Sequence, residues 1–153
     1  MNRFSRLKEL RKLKEDAAGQ ALARIHAQIE TLRQRIVDLE RETMEEKEAA
    51  TEALAGPRRP DPHLLASFLK GQEWRRGRLE SALKKARQEA DEARDVWHHA
   101  RMQLKQVEIL ADKENLRMKQ EQLRVERKEM DLVGIYRTAR HQDNQQQARR
   151  GSA

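Results

Sequence analysis

The chain contains no cysteine. A disulfide framework and thiolate chemistry are therefore excluded. Proline and glycine are scarce, three and six in 153 residues. Aromatic residues are scarcer still: two Trp, one Tyr and two Phe. A chain this poor in bulky apolar groups does not fill a wide core, but it suffices for the narrow seam between long helices. No stretch approaches the roughly 18 apolar residues of a membrane span. The opening MNRFSRLKELRKLK is charged throughout and lacks the apolar core of a signal peptide.

Charge is abundant: Asp, Glu, Lys and Arg make up 39% of the chain. Lys and Arg number 33 against 26 acids, a formal net charge of +7. The signs are interleaved along most of the length, which is the pattern of solvated helix faces rather than a phosphate track. A basic nucleic-acid-binding coiled coil is kept as an alternative, but no nucleic-acid partner is expected. Charge-rich Ala/Leu/Glu/Lys/Arg composition with helical periodicity is the signal of a coiled coil.

The apolar residues supply that periodicity. Leu22, Ile25, Ile29, Leu32, Ile36 and Leu39 step by three and four, a heptad seam. Leu7, Leu10 and Leu13 lie upstream in another phase, which implies a stutter around Ala17, Ala18 and Gly19. A second seam runs Leu79, Leu83, Ala86, Ala90, Ala93, Trp97, Ala100, Leu104, Val107 and Ala111. Its alanines allow close backbone approach, with Trp97 filling space beside them.

All three prolines fall in GPRRPDP, residues 56–62. Gly56 reads as a left-handed helix stop, and Asp61-Pro62 as an N-cap followed by proline at the first helical position. A connection that short joins antiparallel neighbours. Residues 38–52 carry seven acids and two bases, while residues 70–87 carry seven bases and two acids. Folding about residue 59 lays these segments alongside each other and puts Phe4 opposite Glu114.

The expected fold is all-α: a long two-helix antiparallel coiled-coil hairpin whose second helix is the longer. Helix 1 is expected over about 4–54, the turn over 55–61 and helix 2 over about 62–137, one hairpin domain in all. A disordered polar tail is expected over 138–153. From Glu114 the seam alternates the polar Glu114, Glu121 and Lys128 with Met118, Val125 and Leu132, while Leu116, Leu123 and Met130 recur on nearly the opposite side. Apolar residues on two sides of an unpaired helix imply contacts outside the hairpin.

Catalytic chemistry has little to stand on. Asp95 and His99 have i, i+4 spacing, but no third metal ligand is evident. Glu45 and Glu46 sit in an acidic run without a pocket. A two-helix hairpin encloses no water-free site for acid–base work. Neither enzymatic activity, nor a cofactor, nor a metal is expected. Trp74, followed by Arg75 and Arg76, is turned away from the seam and is the residue type enriched at interface hot spots.

Several ordered elements together resemble the FliJ family, the coiled-coil stalk of the flagellar type III export apparatus, over about residues 4–137. They are SFLKGQEW with Phe68 and Leu69, DVWHHARMQL with Trp97 and Leu104, VEILADK, and ERKEMD over Glu126–Asp131, all behind a proline-bearing turn. The injectisome stalk is similar. The resemblance implies a non-enzymatic stalk whose helix ends enter a hexameric export ATPase and promote its assembly or activity. It also implies partners in the cytoplasmic part of the export gate and in export chaperones, and a cytoplasmic place beside the membrane-embedded apparatus without insertion into it.

On this chain the ATPase-facing residues would be Arg3, Arg6, Leu7, Arg11, Lys14, Leu116, Leu123, Met130 and Asp131. The face toward the gate or another partner would be Phe68, Gln72, Trp74, Arg75 and Arg76. Two departures stand out. Asp38, Glu42 and Glu46 occupy the region where many family members carry tyrosines, and Leu132 replaces an acid after Asp131. A generic homodimeric coiled-coil scaffold is the other reading of the same seams.

Overall fold

In a computed structural model that describes residues 2–57 and 61–152, the chain is two helices, α1 over Ser5–Leu54 and α2 over Pro62–Gly151. It is all-α, with the second helix the longer of the two: α1 has 50 residues and α2 has 90. The helices pack as an antiparallel coiled-coil hairpin. The contacts divide into two units, Leu10–Leu104 and the N-terminal residues to Glu9 with the chain from Lys105 onward.

Within Leu10–Leu104 the antiparallel register is fixed by three pairs. Arg11 Nη1 donates to Gln103 Oε1 at 2.6 Å, Trp97 stands against Gly19, and Arg76 Nη2 lies 3.0 Å from Glu40 Oε1. Partner numbers fall as residue numbers rise, as folding back requires. The core is Ile29, Leu83, Ala86 and Ala90, flanked by Ile25, Leu32 and Ile36. These are the expected seam positions. Burial of each large aliphatic side chain contributes about 1.5–3 kcal/mol. Ala90 is only 3% exposed, so the helices are close there and a larger side chain would push them apart.

The expected stutter at Ala17–Gly19 is absent. The inward residues of early α1 are Arg11, Glu15 and Ala18, leading to Leu22 in unbroken steps of three and four. Leu10 and Leu13 are 49% and 67% exposed. Alkyl stems of long polar side chains cover the seam there, and the leucines face water. Gly19 serves the packing of Trp97: a β-carbon at residue 19 would lie 3.3 Å from the indole Nε1.

The helix start and stop use different chemistry. Asp61 Oδ1 accepts the His63 N–H at 2.9 Å, and its backbone oxygen accepts from Leu64 and Leu65. Asp61 is thus the N-cap of α2, with Pro62 first in the helix. Gly56 is not left-handed, since no described glycine has positive φ. Instead Ala55 N donates to Glu52 O and Gly56 N to Ala53 O, both at 3.2 Å. These i to i−3 bonds tighten the last turn and satisfy its carbonyls without a left-handed residue. Residues 58–60, within the turn expected over 55–61, lie outside the described residues.

In the other unit, Val107, Ala111 and Glu114 are the buried residues of α2. Arg3 Nη2 reaches Glu114 Oε2 at 3.9 Å, one residue from the expected Phe4–Glu114 register. The helix then continues through the segment expected to be a disordered tail, as far as Gly151. Residues 138–150 contain no Gly or Pro and are rich in Gln, Arg and Ala, which favour helix. Polarity denies them a packed core; it does not deny them backbone helix.

Candidate functional site

Asn2 organises the N-terminal end. Its Oδ1 accepts the Phe4 N–H at 2.9 Å and its backbone oxygen accepts from Ser5. Its Nδ2 donates to Ala111 O and to Asn115 Oδ1, both at 2.8 Å. One side chain therefore both caps α1 and ties it to α2. Beside it Glu114 accepts two hydrogen bonds from Arg117, at 2.9 and 3.2 Å. Those bonds lower the Glu114 pKa below the ordinary value, against an opposing desolvation, with Arg117 and Arg3 charges adding to the lowering. Asn2 was not a sequence candidate; its signal was an Asn just ahead of a helix start.

Past Glu114 the helix is bare. Every residue from Asn115 to Ser152 is exposed. Leu116, Leu123 and Met130 are 58%, 51% and 74% exposed, and Leu132, Ile135 and Tyr136 are also open to water. Met130 and Asp131 edge a shallow groove floored by Gly134, Thr138 and Ala139. At 1.5 Å per residue, the bare segment is about 55 Å long. Single exposed leucines are ordinary, but this density on one unpartnered helix is the mark of an interaction surface.

The basic start of α1 is less uniform than its charges imply. Arg6 and Lys14 are exposed. Leu7 is 37% exposed. Arg3 has its guanidinium 4.9 Å above the Phe4 ring. Arg11 is different: it lies in the seam, holds Gln103 and has its Nε buried without a partner. It is an interhelical residue, not a free charge.

The second candidate group splits three ways. Phe68 lines a groove near the start of α2 with Ala49, Ala50, Ala53 and Leu65. Gln72 is buried at 3% exposure, its Oε1 accepting from Arg75 at 3.0 Å and its Nε2 unpartnered. It is a seam residue, since the heptad counted back from Leu79 lands on it. Arg76 faces one side, where it pairs with Glu40 and Glu80. Those two acids raise its pKa, the Glu80 hydrogen bond foremost. Trp74 and Arg75 face the other side with Arg35, Asp38, Glu42 and Arg78. Trp74 is 63% exposed, and the Arg78 guanidinium sits 4.9 Å above its ring.

Trp97 is half-buried in the seam, capped by Arg101 at 5.3 Å. His99 Nε2 pairs with the Gln103 side chain at 2.9 Å. Among the described residues no three His, Asp or Glu side chains cluster as metal ligands do, and no helix is long and apolar enough to cross a membrane. The grooves between the arms are open and shallow, shaped for surfaces rather than for small molecules.

The fold and its exposed faces define a coiled-coil interaction protein. The sequence model of the family described as Flagellar FliJ protein matches residues 1–143, and the chain belongs to that family. The family is a non-catalytic one of flagellar export. No curated protein and no solved structure matches the chain.

Proposed function

We propose that the chain is the central stalk of a flagellar protein-export ATPase complex. In this reading it has no enzymatic activity. The helix ends enter the ATPase hexamer and promote its assembly or activity, and the protein connects the hexamer with the export gate and with export chaperones. It would work in the cytoplasm, beside the membrane-embedded apparatus and without inserting into the membrane.

One observation carries the reading. Among the described residues the helix from Leu116 onward is unpaired with α1, yet it displays Leu116, Leu123 and Met130 on one side and Met118, Val125 and Leu132 on another. An isolated helix in water draws little stability from propensity and needs tertiary packing on its apolar faces. A ring of subunits supplies packing on more than one side at once, which suits apolar residues that do not share a single face. Arg6, Lys14 and neighbouring bases at the start of α1 favour approach to an acidic lumen through long-range attraction. Arg11, being committed to Gln103, is left out of that role.

The gate contact is assigned to Phe68 and the alanine-lined groove beside it. Aspartate and glutamates at 38, 42 and 46 make this region of the chain polar, so the apolar part of that contact rests on Phe68, Leu64 and Leu65.

The decisive experiment is turnover of the cognate ATPase hexamer with and without this protein. Stimulation by the full chain, lost on deletion of residues 115–137, supports the stalk. No binding and no stimulation by the intact chain ends the reading. Light scattering tests the scaffold alternative: a monomer fits the stalk, and a stable dimer through the exposed seam positions fits the scaffold.

A further inference from the structure

We infer that the Trp74 side of the hairpin in Leu10–Leu104 is a docking surface for an acidic amphipathic helix, which would lie in the groove between α1 and α2 as a third strand of the coiled coil. The inference goes beyond the stalk reading and uses residues of this unit alone.

The groove floor is built for a helix. Ala27, Thr31, Leu32, Ala82 and Ala86 line it. Small side chains in both walls let a third backbone come close, and the heptad spacing of the walls offers holes for regularly spaced apolar knobs. Arg24, Arg35 and Lys85 stand along this groove, and Arg78 stands with Trp74 where it continues. Among the described residues none of these four bases is held in an ion pair. On the opposite side Arg76 is already committed to Glu40 and Glu80. Four unpaired bases thus flank the apolar floor on this side, alongside the acids Asp38, Glu42 and Glu89, of which Asp38 is held by Arg41.

Trp74 provides the anchor. It is largely exposed, and the Arg78 guanidinium lies 4.9 Å from its ring centroid, a cation–π contact that favours this orientation of the side chain. A Trp beside Arg is the composition of an interface hot spot. Glutamates flanking the apolar stripe of an incoming helix would meet Arg24, Arg35, Arg78 and Lys85. A phosphate backbone fits less well, because it offers no apolar stripe to cover Ala27, Leu32, Ala82 and Ala86.

The test uses the full chain and fluorescence anisotropy of a labelled peptide of about three heptads, with a Leu/Ala stripe flanked by Glu. A second peptide carries Lys in place of every Glu, and a third probe is single-stranded oligo(dT). Saturable binding of the Glu peptide is expected, weakened about tenfold or more by Trp74→Ala and by the pair Arg35→Glu with Arg78→Glu. All these positions are exposed, and circular dichroism is expected to show unchanged helix. Equal or tighter binding of the Lys peptide or of oligo(dT) overturns the proposal. So does an absent response to the Glu peptide at low salt, or a Trp74→Ala variant that binds as well as the parent. A dimer in light scattering that Trp74→Ala dissolves would assign this face to a second copy, and would also overturn it. None of these outcomes depends on ATPase turnover, so this proposal and the stalk reading fail separately.

Discussion

Gly19 and Trp97 form a fitted pair across the hairpin: a β-carbon at residue 19 would stand 3.3 Å from the indole Nε1 and 3.5 Å from Cδ1. Glycine in a helix interior costs about 1 kcal/mol relative to alanine, and here the space it leaves is occupied by the ring. Gly19→Ala is expected to be nearly neutral, since propensity gained offsets the crowding. Gly19→Leu is expected to destabilise by about 1–3 kcal/mol through overpacking. Trp97→Ala should suppress much of that penalty in a double-mutant cycle followed by urea unfolding. Additive effects of the two changes would show that the pair is not in contact.

Gly56→Ala separates two ways of ending a helix. A left-handed glycine would make the substitution costly. Gly56 has no positive φ, and an added β-carbon would meet Ala53 O at an ordinary 3.6 Å. The variant is expected to gain about 0.4–1 kcal/mol by restricting the unfolded chain. A loss of stability in the same unfolding assay would contradict the tightened-turn geometry.

Asp61→Ala removes the acceptor for the His63 N–H. A loss of about 1 kcal/mol is expected, with Asp61→Asn close to the parent. Hydrogen exchange should show the added opening at the first turn of α2, at His63 to Leu65, rather than along the whole helix.

Glu114 gives the N-terminal end a pH dependence of known sign. Hydrogen bonds from Arg117 hold its folded pKa below the unfolded value. Its stabilising contribution is therefore complete above the ordinary carboxylate range and is lost as pH falls through the lower folded value. Exchange protection around Ala111 should fall with acid in the parent, and that dependence should flatten in Glu114→Gln. Asn2→Ala should reduce the same protection at every pH, because its bonds to Ala111 and Asn115 do not titrate.

Charge reversal at Arg6 and Lys14 tests the steering proposed for the stalk. At low salt, association with the ATPase hexamer is expected to slow for Arg6→Glu with Lys14→Glu, while the difference shrinks as salt screens it. Stopped-flow measurement of the association rate reads this directly. An unchanged rate at low salt would remove these residues from the encounter.

The seam was legible because burial follows apolar spacing, and Ile29, Leu83, Ala86 and Ala90 took the places their periodicity assigns. The same rule misplaces Leu7, Leu10 and Leu13. Their three-residue spacing looks like a seam, yet Arg11, Glu15 and Ala18 face inward. Once Leu22 to Leu39 fix the phase of a rigid helix, the upstream residues must follow it whatever their polarity. Asn2 and the partition of Gln72, Trp74 and Arg76 onto different sides depend on which groups meet across the helices, and neighbours in sequence do not report that. The helix beyond Arg137 is not legible from polarity, because helix propensity is a separate property from the capacity to pack a core.

In the proposed stalk, the bare end of α2 engages an export ATPase. Steady-state turnover of the cognate hexamer tests it most directly, measured without the protein, with the full chain, and with Leu116→Asp, Leu123→Asp and Met130→Asp combined. The three residues are exposed, so the variant should keep the helical circular dichroism of the parent. The parent is expected to raise turnover and the triple variant to leave it at the basal rate. Equal stimulation by both proteins, or none by the parent, would contradict it.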